Sequence, residues 1–245
     1  MLDKKDFSKS LFPELDEEAL KKAQKESRRK WLAQKSVNFG LEYCSTAMFC
    51  GKYGIPLLKP YMGTIPKCYT TFGDITIAGD PNCCVTGCDY DYLIDRMWNN
   101  PDKYVEKLSR YLCITNPDYS LRPNHPLSVQ IANVYRSHAV GFYMQEHSIP
   151  VLPSMMWSST NSHEFCFDGF SKGGAVLVST IGTLKDDRSK VYFRNGFEEM
   201  LKHISPDAVI LYGDVNDELL SWLPKQLDIH HYDHNRFKRA RNHGR

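Results

Sequence analysis

Residues 149–180 read IPVLPSMMWSSTNSHEFCFDGFSKGGAVLVST. Two short apolar runs, 149–152 and 175–180, bracket a segment rich in Ser, Asn, Gly, acidic and aromatic residues. Apolar runs this short, bounded by turn formers, are the pattern of buried strands. A polar segment just past such a strand lies where α/β sheets bind ligands. The stretch therefore sets a fold class and a place for a site, but not a reaction.

Working outward, the same rhythm repeats. Asn100-Pro101 opens a helix over 102–111, with Pro at the first turn. Residues 112–115 read as a strand, and Pro126 begins a long helix to about 146. Phe193, Phe197, Met200, Leu201 and Ile204 recur at helical spacing, predicting an amphipathic helix over 192–204. A strand at 208–212 ends at Gly213-Asp214; a short helix (217–226) and a last strand (227–232) follow. Strands separated by helical segments imply crossover connections and a mostly parallel sheet. The predicted fold is α/β, and five or six strands leave open doubly wound and barrel-like arrangements both available. The spacing divides the chain into a basic amphipathic helix extension (1–36), a Gly/Pro-rich preface (37–84), the α/β body (85–234) and a basic tail (235–245). Within the preface, Gly and Pro mark turns, and Ile75-Thr76-Ile77 is the one expected strand.

Hydrophobic content of 42% and charge of 24% are ordinary for a globular chain, and 245 residues can bury a core without staples. No apolar run is long enough to span a membrane, and the charged first twenty residues do not read as a signal peptide, so a cytoplasmic location is expected. A net charge of +2 conceals an uneven distribution. Lys21, Lys22, Lys25, Arg28, Arg29, Lys30 and Lys35 face only Glu26, and Arg236, Lys238, Arg239, Arg241 and Arg245 crowd the last ten residues. Two basic ends on an acidic body suit a polyanion, DNA or RNA; a solvated helix and a solubilising tail account for them equally well.

If the strands are parallel, their C-terminal ends share a rim. Asp118, Ser120, Trp157, Ser158, Ser179, Thr180, Tyr212, Gly213 and Asp214 then fall near it, a combination suited to a small polar ligand or a base. Glu164 and Asp168, four apart in SHEFCFDG, converge in either a strand or a helix and form a carboxylate pair of the acid–base or metal type. Each acid also has a structural reading. Asp118 in NPDYS is a turn former, Glu164 a cap and Asp168-Gly169 a turn, and these readings weigh slightly more. The cluster Cys83-Cys84-x-x-x-Cys88, with Cys68 or His125 as a fourth ligand, lacks paired C-x-x-C arms, so buried free thiols are expected rather than a metal. His230-His231-Tyr232-Asp233-His234 reads as a strand edge entering the tail. No dinucleotide, Walker, nucleophile-elbow or zincin motif is present, and no cofactor is indicated.

NPDYS, IPVLPSMMWS, SHEFCFDG and VILYG occur in that order. In these motifs the chain resembles the uncharacterised domain-of-unknown-function family 4417 of phages and mobile elements, over about residues 52–215. The resemblance implies a phage-like context with DNA-directed work, and carries no residue roles. Two functions stay open: a nucleic-acid-associated protein with basic ends and a base or nucleotide pocket at the rim, or a small-molecule enzyme using Asp118, Glu164, Asp168 and Asp214 for acid–base or divalent-metal chemistry.

Overall fold

The computed structural model describes residues 21–22, 25–26 and 38–233. Contacts divide the chain after Glu42, and the architecture below is that of the unit beginning at Tyr43. A small antiparallel hairpin, β1 (Phe49–Cys50) and β2 (Ile55–Pro56), comes first. The strands β3 (Cys68–Thr71), β4 (Cys83–Thr86), β5 (Cys113–Thr115), β6 (Val151–Leu152), β7 (Ser154–Met155), β8 (Ala175–Ser179), β9 (Ala208–Tyr212) and β10 (Asp228–Tyr232) follow. The helices are α1 (Asp91–Asn99), α2 (Asp102–Leu108), α3 (Leu127–Glu146), α4 (Asp187–Ile204) and α5 (Asp217–Trp222).

Every pairing among β3–β10 is parallel. The ladders are β3-β4-β5-β6 and β7-β8-β9-β10. Only Pro153 separates β6 from β7. Proline has no N–H for a ladder, and here the segment changes partners: Val151 and Leu152 pair with β5, Ser154 and Met155 with β8. The Pro153 carbonyl still accepts from Leu177 N–H at 2.7 Å. The strands thus lie side by side in chain order. That order has no reversal point, so it is not the doubly wound arrangement.

Side chains alternate across the sheet with the strand period of two. Val85, Ile114, Val151, Val176, Val178, Val209 and Leu211 face outward and pack with residues from α1 to α5. Cys84, Cys113, Leu152, Ala175, Leu177, Ala208, Ile210 and Tyr212 face the other way and pack with one another and with Tyr61 and Cys88. No helical residue enters this inner cluster among the described residues. The inner face is covered because the sheet curls. Tyr69 of β3 and Tyr232 of β10 meet with ring centroids 4.6 Å apart, and the Tyr232 hydroxyl donates to the Pro66 carbonyl at 2.8 Å. The barrel is not closed: among the described residues no backbone pairing joins β10 to β3.

Local chemistry sets the element ends. Asp186 caps α4 by accepting from Ser189 N–H at 2.9 Å, so the helix starts at Asp187, ahead of the expected 192. Asn216 caps α5 in the same way, and the helix ends at Trp222, two residues before Pro224. The expected strand at 75–77 is a loop: it follows a 3-10 turn, Phe72–Asp74, and Thr76 N–H donates to the Tyr111 hydroxyl at 2.8 Å instead of to a strand. The segments 68–71 and 83–84, within the turn-rich preface, supply sheet strands. Of the expected N-terminal helix, residues 21, 22, 25 and 26 are helical and exposed. The rest of it, and the tail 235–245, lie outside the described residues.

Asn116, fully buried, clasps the sheet where Pro153 breaks it. Its amide donates to Ser137 Oγ (2.8 Å) and the Ser154 carbonyl (3.2 Å), and its oxygen accepts from Ser154 N–H (2.7 Å). Asn116→Ala leaves a buried N–H and a carbonyl without partners, at about 1–3 kcal/mol each. The expected result in denaturant unfolding is a loss of about 2–4 kcal/mol; a loss below about 0.5 kcal/mol, the scale of a surface substitution, would rule out the clasp.

Candidate functional site

The C-terminal ends of the strands open into a cavity of about 480 Å³. Its floor is set by a close approach of two strand exits. Gly87, after β4, packs so tightly on the turn after β5 that a Cβ there would lie 2.8 Å from Pro117 Cα and 2.9 Å from the Asn116 carbonyl oxygen. Gly87 N–H donates to Thr115 Oγ1 at 2.7 Å, and its carbonyl accepts from Asp118 N–H at 3.2 Å. The next residues along each exit, Cys88 and Asp118, are thereby brought side to side.

Asp118 lines the cavity and is half-buried. Burial pushes its carboxyl up to about 7; the Cys88 thiol offsets part of that rise, and the nearby Asp91 charge adds to it. Burial and the Asp118 carboxylate together hold the Cys88 thiol well above its ordinary range, while the hydroxyls of Ser179 and Ser154 face it from β8 and β7 and act in the opposite sense. Ser154 Oγ is buried with no hydrogen-bond partner. The pair is therefore a neutral thiol beside a carboxyl that both gives and takes a proton near neutral pH. It is not a thiolate nucleophile, since burial and the Asp118 charge outweigh the lowering by the two hydroxyls.

The walls come from three further elements. Trp157 is half-buried, with its indole N–H donating to the Tyr192 carbonyl at 3.1 Å and its ring 5.5 Å from Phe193. Gly196 of α4 makes room for it: a Cβ there would sit 2.1 Å from the indole nitrogen. Ser120 donates from both N–H and Oγ to Asp91 Oδ1 at 3.2 Å. Tyr119 lies under the Arg136 guanidinium at 4.1 Å, and Arg136 is anchored to Asp95 at 2.9 Å. Arg122 and Lys185, both exposed, bring cationic side chains to the mouth.

Of the residues singled out from the sequence, Asp118, Ser120, Trp157 and Ser179 line this cavity together. Ser158 is buried beside it and donates to Gln130 Oε1 at 2.7 Å. Tyr212 belongs to the inner cluster; Thr180 N–H donates to the Tyr212 carbonyl at 3.0 Å, and Gly213 N–H to the Tyr232 carbonyl at 3.0 Å. Asp214 is exposed and outside the cavity. Glu164 and Asp168 are near enough that Glu164 raises the Asp168 carboxyl, but burial raises it more, and neither residue lines the cavity. Glu164 instead pairs with Lys52 (3.1 Å) and Tyr53 (3.3 Å), and Asp168 lies against the backbone of Gly51. Cys88, Asp89, Arg122, Met156 and Lys185 are cavity residues that the sequence reading left out. Cys88 and Asp89 follow the end of β4 by two and three residues, on the same rim of strand ends. Lys21 and Lys22 are exposed, whereas Arg28, Arg29, Lys30, Arg236, Lys238, Arg239 and Arg241 lie outside the described residues.

The profile of the family described as "Domain of unknown function (DUF4417)" matches residues 47–233. The chain is similar to the Gene 1 protein of Mycobacterium phage L5, 31% identical over 125 residues, covering 51% of this chain and 55% of that protein. It is similar also to the Gene 1 protein of Mycobacterium phage D29, 32% identical over 123 residues, covering 50% of this chain and 46% of that protein. The chain spans about half the length of these relatives. No solved structure matches it. The chain belongs to the DUF4417 family, a family of phage-type proteins.

Two outcomes follow from this geometry. A carboxyl raised in the folded state binds more protons there than in the unfolded chain between pH 4 and 7, so its ionisation erodes stability as pH rises through that window. Asp118→Asn removes the effect: the variant should match the parent near pH 4 and exceed its melting temperature at pH 8, and parallel curves would show that Asp118 is not raised. Gly196→Ala drives a methyl into the indole of Trp157, an overpacking worth about 1–3 kcal/mol. Unfolding titrations should register that loss with a change in Trp fluorescence, and an unchanged spectrum would mean that the ring is not held there.

Proposed function

We propose that this DUF4417 chain binds a small anionic ligand with a planar group, of the nucleotide class, in the rim cavity, and that Asp118 transfers a proton to or from it. The reading is carried by one observation: a carboxyl pushed to about 7 faces a ligand-sized cavity beside the neutral thiol of Cys88. A group that titrates near the working pH is the most effective general acid or base. Arg122 and Lys185 at the mouth suit a phosphate or carboxylate, and the Trp157 ring suits a planar group. Asp118 orients and exchanges the proton, Cys88 offsets part of the rise that burial imposes on its neighbour, and Ser179 and Ser120 fix the polar wall. Glu164, Asp168 and Asp214 take no part in this reading because they lie elsewhere.

Polyanion contact by the two basic ends is a separate reading, supported by the crowding of Lys and Arg at residues 21–35 and 236–245. Both readings place the protein in the cytoplasm of a bacterial host. No helix among the described residues is long and apolar enough to cross a membrane.

Fluorescence titrations with mononucleotides and with single- and double-stranded DNA, at low and raised salt, separate the two. Mononucleotides should change a Trp signal that Trp157→Phe abolishes. Arg122→Ala with Lys185→Ala should weaken binding by roughly tenfold or more, the scale of a lost charged hydrogen bond. DNA binding that falls steeply with salt and vanishes with the basic ends, with no response to any mononucleotide, would replace the pocket reading by the polyanion one.

A further inference from the structure

At the opposite end of the sheet, where β3 and β4 begin, Cys68 and Cys83 are direct register partners on neighbouring parallel strands. Cys83 packs on the outward, helix-side face, apart from the inner cluster that holds Cys84 and Cys88. Asp80, in the loop between the two strands, joins them. Its Oδ1 accepts from Asn82 N–H at 2.9 Å and its carbonyl from Cys83 N–H at 3.1 Å, and this tight turn aims Oδ2 at Cys68 Sγ, 3.7 Å away. One ligand atom from each of the three residues lies within 4.8 Å of the other two. Neither Cys84, Cys88 nor His125 belongs to the group.

We propose that Cys68, Asp80 and Cys83 bind a zinc ion that staples the β3–β4 crossover. Zinc takes thiolate at about 2.3 Å and carboxylate at about 2.0–2.2 Å in a tetrahedron, which places sulfur and oxygen roughly 3.5 Å apart. The Cys68–Asp80 separation already approximates that value, and the Cys83 sulfur lies within 4.8 Å of both. Two sulfurs and one oxygen select zinc over calcium or magnesium, which take oxygen ligands. Cys68 and Asp80 are half-buried, so water completes the fourth position. Binding sends the two thiol protons to solvent. A 3-10 turn, Phe72–Asp74, is the only helical element between β3 and β4, and Ile77 in that loop is exposed.

Cobalt titration of the reduced, metal-stripped full chain tests the assignment. One equivalent of Co²⁺ should produce a thiolate-to-cobalt charge-transfer band that Zn²⁺ displaces. Cys68→Ser should reduce that band, and Asp80→Asn should keep it while weakening affinity by at least the roughly tenfold that loss of even an outer-shell partner costs. Cys50→Ser, at a half-buried thiol outside the group, should leave band and affinity unchanged. Zn²⁺ should raise the melting temperature of the parent and not of Cys68→Ser. The absence of a charge-transfer band, a band unchanged in Cys68→Ser, or recovery of a Cys68–Cys83 disulfide from protein that binds no metal would overturn the proposal.

Discussion

A parallel sheet of buried strands has two apolar faces, and this chain sets its helices against only one of them. Everything else in the architecture answers that constraint. The inner face is covered by the sheet itself, which curls until Tyr69 and Tyr232 meet. The inward positions mix small side chains (Ala175, Ala208, Cys84, Cys113) with large ones (Leu152, Leu177, Ile210, Tyr212). The outward positions, which meet helices at ordinary packing distance, carry Val, Ile and Leu.

The same curl makes a site. Parallel strands in chain order bring all their exits to one end, and a narrow interior means that these exits approach one another closely. Gly87 marks one such close approach, and its missing side chain lets Cys88 and Asp118 share one environment. The raised Asp118 carboxyl follows from burial at that point more than from any neighbouring charge. The exposed cations Arg122 and Lys185 stand above it, at the mouth, where they are free to meet an anion from solvent.

Much of this was legible in the residues. The runs AVLVS and AVILY announced β8 and β9, and the Phe/Met/Leu spacing announced α4, because periodicity survives whatever the tertiary context. The clustering of Asp118, Ser120, Trp157 and Ser179 followed from topology alone. Other features were hidden. CYTT and CCVT are too short, and too close to Gly and Pro, to read as strands, and their identity comes from the neighbours they pair with. The spacing of Glu164 and Asp168 allowed a carboxylate pair or a structural role, and the structure places both outside the cavity, Glu164 against Lys52 and Tyr53 and Asp168 against the backbone of Gly51. The membership in the DUF4417 family, read from motif order, agrees with the profile match over residues 47–233.

The tyrosine seam has a colloidal consequence. An unclosed sheet keeps two free strand edges, and free edges are templates on which other chains pair and aggregate. Here the two edges are turned toward each other, with Pro66 just ahead of β3 and the charged and imidazole side chains of Asp228, His230 and His231 along β10. The two edges meet through the Tyr69–Tyr232 ring contact and the Tyr232–Pro66 hydrogen bond, without the ladder of hydrogen bonds that closure requires.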